Sequence, residues 1–346
     1  MDFAATIAKL CAVPGVSGYE MPVCELMRDM MRPYCDQVDI LPLGSVVGQR
    51  AGASPDAPRV LLDAHLDQIG FIVSGINDEG FLHFTPCGGF DARVLPAKEV
   101  IIHTDPVRYG VIAVLPPHLQ TPENKEKAMP MGDLIIDAGM SAEEARKCIP
   151  IGTPVTVAAA PFALGSETIG GAALDDRACM ASILYALELL GDEPLPVNLI
   201  IVGSVREETG GAGASTAAYF ARPDYAVAVD VTHAHTPDAL KSNTVPAGTG
   251  ACIGVGPHLN RKVTSTLRRL AVEQEIAHTI EVLPGRTGTN ATPMQIVRTG
   301  VATGLVSLPL RYMHTTTEVI RIDDTRAVGE LLAAFIHSFA GGEPRC

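Results

Sequence analysis

Three short apolar runs frame this chain. They lie at residues 59–64, 197–202 and 225–229, are rich in Val, Leu and Ile, and are bounded by Gly, Pro and Asp. Each is too short for a core helix, and unbroken hydrophobicity is typical of strands buried on both faces. They are expected to be neighbours in one sheet. Helical periodicity appears around them, in an amphipathic stretch from Phe3 to Val13 and a second from Met21 to Tyr34, ahead of a strand-like DQVDILPLGSVVGQR. After Asp175 and Asp176, the positions Met180, Ile183, Leu184 and Leu187 share one helix face. Asn260 is placed to cap the helix RKVTSTLRRLAVEQEI, and Asp323 or Asp324 to start TRAVGELLAAFIHSF. Strands alternating with helices of this length predict an α/β sheet covered on both faces.

Residues 72–164 break that rhythm. The stretch is dense in Pro and Gly, with short β-like pieces (FIVSGI, FLHF, EVIIHT, RYGVIAVL, TPVTVA), a polar excursion from His118 to Leu134, and one brief helical pattern at SAEEARKC. It reads as a small β-rich domain of 72–164 inserted into a main domain made of 1–71 and 165–346. The expected fold is therefore α/β, a mixed sheet sandwiched by helices, with an inserted β-rich unit.

Composition narrows the function classes. A net charge of −13, no basic run and no Trp remove the electrostatic and stacking footprint of a nucleic-acid binder. No apolar stretch approaches the roughly 18 residues that cross a bilayer, and the acidic start MDFAATIAKLCAVPG lacks a signal-like pattern, so a cytoplasmic, membrane-free protein is expected. The eight cysteines contain no CxxC or CxxH pair, which argues for reduced thiols rather than thiolate metal sites or disulfides.

The chemistry-bearing residues sit just past the apolar runs. They are His65 and Asp67 after RVLLDA, Asp175 opening a helix, Glu207 and Glu208 after VNLIIVGSV, Asp230 after YAVAV, and His314 in LRYMH. Bare carboxylates buried at strand ends need a compensating cation, and mixed nitrogen and oxygen donors without thiolate suit a divalent metal. In a strand, His65 and Asp67 project from one face, which suits a histidine ligand oriented by a carboxylate. The plain alternative is a surface ion pair. Asp175 is assigned to the metal over a role as helix cap, leaving Asp176 and Arg177 structural. Adjacent acids running into a Gly-rich turn, as in SVREETGGAGA, can divide two roles, one binding metal and the other acting as a base on an activated water. His233 and His235 read as supporting or structural.

The order AHLDQIGFIV, ALDDRA, EETGGAGA, DVTHA, RYMHTTTEV resembles the M42 family of metalloaminopeptidases, the tetrahedral-type and glutamyl aminopeptidases, some once labelled cellulase M. The resemblance runs from PGVSGYE to the last helix. It implies two divalent ions per subunit, zinc or cobalt, with Asp175 bridging both, His65 and Asp230 completing one site, and Glu208 and His314 the other. By the same resemblance Glu207 is the general base and Asp67 orients His65. The insert becomes a dimerisation domain, the assembly a homo-oligomer built from dimers into a dodecamer, and the substrates short peptides trimmed from the free N-terminus. Three positions depart from the family's usual residues: Gln68 replaces Glu, Asn290 replaces the Asp of GTDA near the cleft, and Ser45 replaces the Asn of LGN. The competing readings are an endoglucanase-type glycoside hydrolase, poorly served by 5% aromatics, and a silent structural homologue, which would have no need of the ligand set.

Overall fold

The computed structural model describes residues 1–120 and 128–342. Part of the polar excursion, 121–127, thus lies outside the described residues, as does the carboxyl end from 343. The chain opens with helices α1 (Phe3–Cys11) and α2 (Met21–Met31), then strands β1 (Gln37–Ile40), β2 (Val46–Arg50) and β3 (Arg59–His65). Asp2 caps α1, accepting the Ala5 N–H.

Six strands then close into an antiparallel barrel: β4 (Gly70–Ile76), β5 (Leu82–Cys87), β6 (Glu99–Ile102), β7 (Arg108–Ile112), β8 (Ile135–Asp137) and β9 (Pro154–Val157), in the order β4-β5-β8-β7-β6-β9. Helix α3 (Ala142–Cys148) lies between β8 and β9, started by a capping box of Ser141 and Glu144. Phe71, Val73, Phe84, Val100, Ile112, Ile136 and Val155 fill the interior. Strand β7 breaks the usual inside-apolar, outside-polar alternation. Gly110 and Ile112 point in, while Tyr109 (69% exposed) and Val111 (44%) continue an exposed apolar row from Val107.

The remainder returns to the main sheet. It comprises β10 (Phe162–Ala163), β11 (Thr168–Gly171), α4 (Leu174–Leu190), β12 (Asn198–Ser204), α5 (Ala212–Ala221), β13 (Tyr225–His233), β14 (Ala251–Val255), α6 (Arg261–Glu273), β15 (His278–Val282), α7 (Ala291–Gln295), β16 (Ala302–Arg311), β17 (Glu318–Arg321) and α8 (Ile322–Ser338). The strand order is β1-β2-β12-β3-β13-β16-β17-β11-β10, with β14 pairing β16 and β15 pairing β14. The three apolar runs form the centre, where β12, β3 and β13 are parallel neighbours. The sheet is mixed, antiparallel at β2, β14, β17 and both outer ends.

Alternation along the central strands divides the core in two. Val60, Leu62, Leu199, Ile201, Val227 and Val229 face α1, α2, α4, α6 and α8. Leu61, Ile200, Val202, Ala226 and Ala228 face the thinner layer of α5 and α7. Asn260 caps α6 as expected, accepting from Lys262 and Val263. Helix α8 begins at Ile322, ahead of both acids expected to start it. Asp324 is drawn away because its carboxylate accepts the N–H groups of Gly248 and Gly250, each at 2.7 Å. The seven described cysteines are unpaired.

Candidate functional site

Strand register carries the first ligand types to one place. Ser204 pairs with His65 across β12 and β3, and Asp230 pairs with Ser307 across β13 and β16. His65, Ser204, Asp230 and Ser307 therefore share the face of the thinner helix layer, at the carboxyl ends of the parallel strands where open α/β sheets carry their sites.

Asp175 arrives from the start of α4. Its backbone and that of Asp176 are not helical, so the regular helix begins at Arg177 and three adjacent charged side chains diverge. Asp175 faces the cleft. The Asp176 carboxylate accepts the His65 N–H at 3.1 Å. The fully buried Arg177 donates to the carbonyls of Leu66, Leu10 and Val13, tying α1 to the end of β3.

Two carboxylates that the sequence reading passed over hold the loops in position. Glu318 accepts the N–H of Asp175 at 3.1 Å and of His314 at 3.2 Å, fixing two site residues from one buried side chain. Glu20, in PGVSGYE, accepts the Arg206 N–H at 3.1 Å, just ahead of Glu207. Neither has a local signal, because each acts on backbone far away in sequence. Glu20 ends PGVSGYE and Glu318 lies within TTTEV, two segments quoted above for the family resemblance.

The donor atoms converge in two groups that share Asp175. His65, Asp175 and Asp230 form one, and Asp175, Glu208 and His314 the other, with ligand atoms in each within 4.8 Å of one another. Asp175 Oδ1 lies 3.1 Å from His65 Nε2, and its Oδ2 lies 3.4 Å from His314 Nε2. His314 Nε2 is also 3.2 Å from Glu208 Oε2. Burial opposes a charged Asp175, but hydrogen bonds from His314 and His65 outweigh it and hold the carboxyl below its usual range. Glu207 is pushed up to about 7 by burial, with the nearby His65 opposing and Glu208, Asp67 and Asp175 adding to the rise. Burial likewise raises Glu208, and raises Asp230 strongly with help from Asp176 and Glu207. His314 is raised to about 10 by Asp175 and Glu208.

This is a site with too many acids for its cations. No Lys or Arg lines the cleft among the described residues. Two oxygen and nitrogen donor sets joined through one carboxylate fit a pair of divalent ions, which would relieve the repulsion that raises the acids.

His65, Asp175, Glu207, Glu208, Asp230 and His314 all line one cleft of about 280 Å³. Asp67 lies beneath it. Its carboxylate accepts the N–H groups of Glu207 at 3.0 Å and Glu208 at 3.2 Å, while His65 Nδ1 is nearer its backbone carbonyl (3.0 Å) than its carboxylate (3.5 Å). His233 lines the cleft wall, and His235 bonds Thr244 outside it. Asn290 is not in the cleft: buried on α7's approach, it donates to Asp63 at 2.9 Å and Ser204 at 2.8 Å, while Thr287, Gly288 and Thr289 line the opening. The barrel also reaches the site. A Cβ on Gly89 would stand 3.1 Å from His314 Nδ1, and one on Gly88, whose φ is +83°, 3.3 Å from Glu208 Oε2. A larger depression, about 580 Å³, lies at the opposite, amino ends of β13 and β16 and holds none of these groups.

The family profile of M42 glutamyl aminopeptidases matches residues 44–331. The chain belongs to this family. It is 36% identical to the lysyl aminopeptidase of Pyrococcus furiosus over 335 residues, covering 95% of each chain. An aminopeptidase from the archaeon Desulfurococcus kamchatkensis superposes with a TM-score of 0.90 at 33% identity, covering 97% of this chain and 94% of the other. The TET1 peptidase of Pyrococcus horikoshii, described as assembling into a tetrahedron or a large octahedral shell, matches at a TM-score of 0.86 and 28% identity, over 97% and 99% of the two chains. This M42 chain is thus an aminopeptidase, a hydrolase of peptide bonds, with a mixed α/β fold and a small barrel. No described helix is long and apolar enough to cross a membrane.

Proposed function

We propose that this M42 enzyme releases N-terminal residues from short peptides with two divalent ions, zinc or cobalt, shared through Asp175. The observation that carries the reading is that the two oxygens of this one buried carboxylate face His65 and His314 separately. His65 and Asp230 would hold one ion with Asp175, and Glu208 and His314 the other. When bound, the ions would polarise the scissile carbonyl and acidify the attacking water. Glu207, raised to about 7 and free of the two donor groups, accepts the proton from water and returns it to the leaving amine. Asp67 fixes the turn that carries Glu207 and Glu208 by accepting both backbone N–H groups. The acidic cleft favours a substrate with a free α-amine.

The 72–164 segment would serve as the dimerisation domain, with the apolar row of Val107, Tyr109 and Val111 as its contact, in a homo-oligomer of the tetrahedral type. A glycoside hydrolase is disfavoured by the cleft itself, since no Phe, Tyr or Trp among the described residues lines it to stack a sugar. The site would work in the cytoplasm. The family profile is named for glutamate and the lysyl relative for lysine, so the preferred first residue is not decided by the names. Dialysis against a strong chelator should abolish hydrolysis of aminoacyl chromogenic substrates, and zinc or cobalt should restore it at two ions per chain. Full activity in metal-free protein, or saturation at one ion, would overturn the dinuclear reading.

A further inference from the structure

Two carboxylates in the cleft belong to neither donor group: Glu207, the proposed base, and Glu281, which has no role in the hydrolysis proposed above. Glu281, on β15, lines the same cavity as the site residues. It is oriented by protein rather than by water alone: Thr232 Oγ1, two residues beyond Asp230 on β13, donates to Glu281 Oε1 at 2.5 Å, and the Cys252 thiol lies 4.0 Å from Oε2. No ion pair to Glu281 forms among the described residues, and no Lys or Arg among them lines the cleft. Leu283 and Met313 line the same cleft and give it apolar surface.

We propose that Glu281 sets the enzyme's preference for a basic first residue, lysine or arginine, by receiving that side chain's cation. The inference rests on the aminopeptidase reading of this cleft and adds its substrate class. A lysine stem is a flexible four-carbon chain that packs on apolar walls while its ammonium seeks a carboxylate. Leu283 and Met313 supply the wall, and Glu281 supplies the end. An acidic first residue would meet Glu281 and the carboxylates of the site with no Lys or Arg to receive it, so like-charge repulsion rejects it. The metal ions would neutralise Asp175, Glu208 and Asp230, and Glu207 is committed to the water, which leaves Glu281 to discriminate among side chains.

The test compares kcat/KM of the metal-loaded enzyme on lysyl, norleucyl and glutamyl 4-nitroanilides, for the natural chain, Glu281→Gln and Glu281→Lys. Norleucine has the apolar chain of lysine without its charge. The natural enzyme should favour lysyl over norleucyl and reject glutamyl. Glu281→Gln, which keeps the shape and an acceptor for Thr232, should lower the lysyl-to-norleucyl ratio by roughly tenfold or more, chiefly through KM. Glu281→Lys should raise glutamyl relative to lysyl. A natural enzyme that prefers norleucyl overturns the proposal even if the variants do not fold. So does an unchanged ratio in Glu281→Gln with all substrates slowed alike, the signature of a carboxylate that holds the α-amine instead. Failure of the metal-loaded enzyme to cleave any of the three would overturn the peptidase reading of the cleft itself.

Discussion

The Asp67 carboxylate accepts the backbone N–H of Glu207 at 3.0 Å from a fully buried position, so the proposed base is aimed by a residue that does not itself enter the cleft. Removing that acceptor strands two N–H groups, because Glu208 donates to the same carboxylate. Each buried donor left without a partner costs about 1–3 kcal/mol. Asp67→Ala should therefore lower the melting temperature and cut kcat by roughly 10–100-fold. Asp67→Asn, which keeps an acceptor for one of the two, should fall between. Thermal unfolding and steady-state kinetics check both. An Asp67→Ala enzyme as stable and active as the natural one would remove Asp67 from the machinery.

Glu207 and Glu208 are neighbours in sequence but differ in kind. Glu207→Gln should bind both ions with unchanged stability and lose several orders of magnitude in kcat. Glu208→Gln should lose metal occupancy, with partial rescue at high added metal. Metal analysis with single-turnover kinetics separates them, and the reverse pattern would exchange their roles.

Acid-base behaviour of the metal-free protein follows from the raised groups. Glu207 binds its proton more tightly folded than unfolded, so the stability it contributes is full below its ordinary value of 4.5 and is lost as pH rises to about 7. His314 adds a second decline, from 6.5 to about 10. Asp175 runs the other way, but its contribution is already complete above 3.8. Chelated protein should accordingly melt at a higher temperature at about pH 5.5 than at about pH 8.5. Binding of zinc displaces the same protons, so titration calorimetry should show affinity rising with pH across that window. A melting temperature that climbs with pH in the chelated protein would contradict the arrangement.

The proposed assembly rests on the exposed apolar row around β7. Tyr109→Asp places a charge in the centre of that row, and light scattering should show a smaller particle than the natural protein forms. If the natural chain is a monodisperse monomer at micromolar concentration, the barrel face has another purpose.

The central sheet and the cleft residues were readable because they share one cause. Strands covered on both faces must be apolar along their whole length, so the polar residue that ends each run, His65, Glu207 or Asp230, stands out against it. Where the pattern was broken, the reading was thin. Strand β16 carries Gly304, Ser307 and Pro309 within its length, and only its last part, before His314, drew notice. Glu318 and Glu20 bond backbone across the fold, and nothing in their neighbours announces it. Asn290 stands in a segment whose preceding residues do line the cleft, yet it turns away to Asp63, a contact 227 residues distant in sequence.

Gly88 and Gly89 give the barrel a stake in the chemistry. They leave room for His314 and Glu208 where any side chain would crowd them, so the loop that closes one wall of the cleft belongs to the unit proposed to seat a second copy. If that contact and the proposed ions both depend on this wall, the two equilibria are linked, and any factor by which assembly changes metal affinity is the factor by which the ions change assembly. Under positive linkage, dilution and chelation would become two routes to one state.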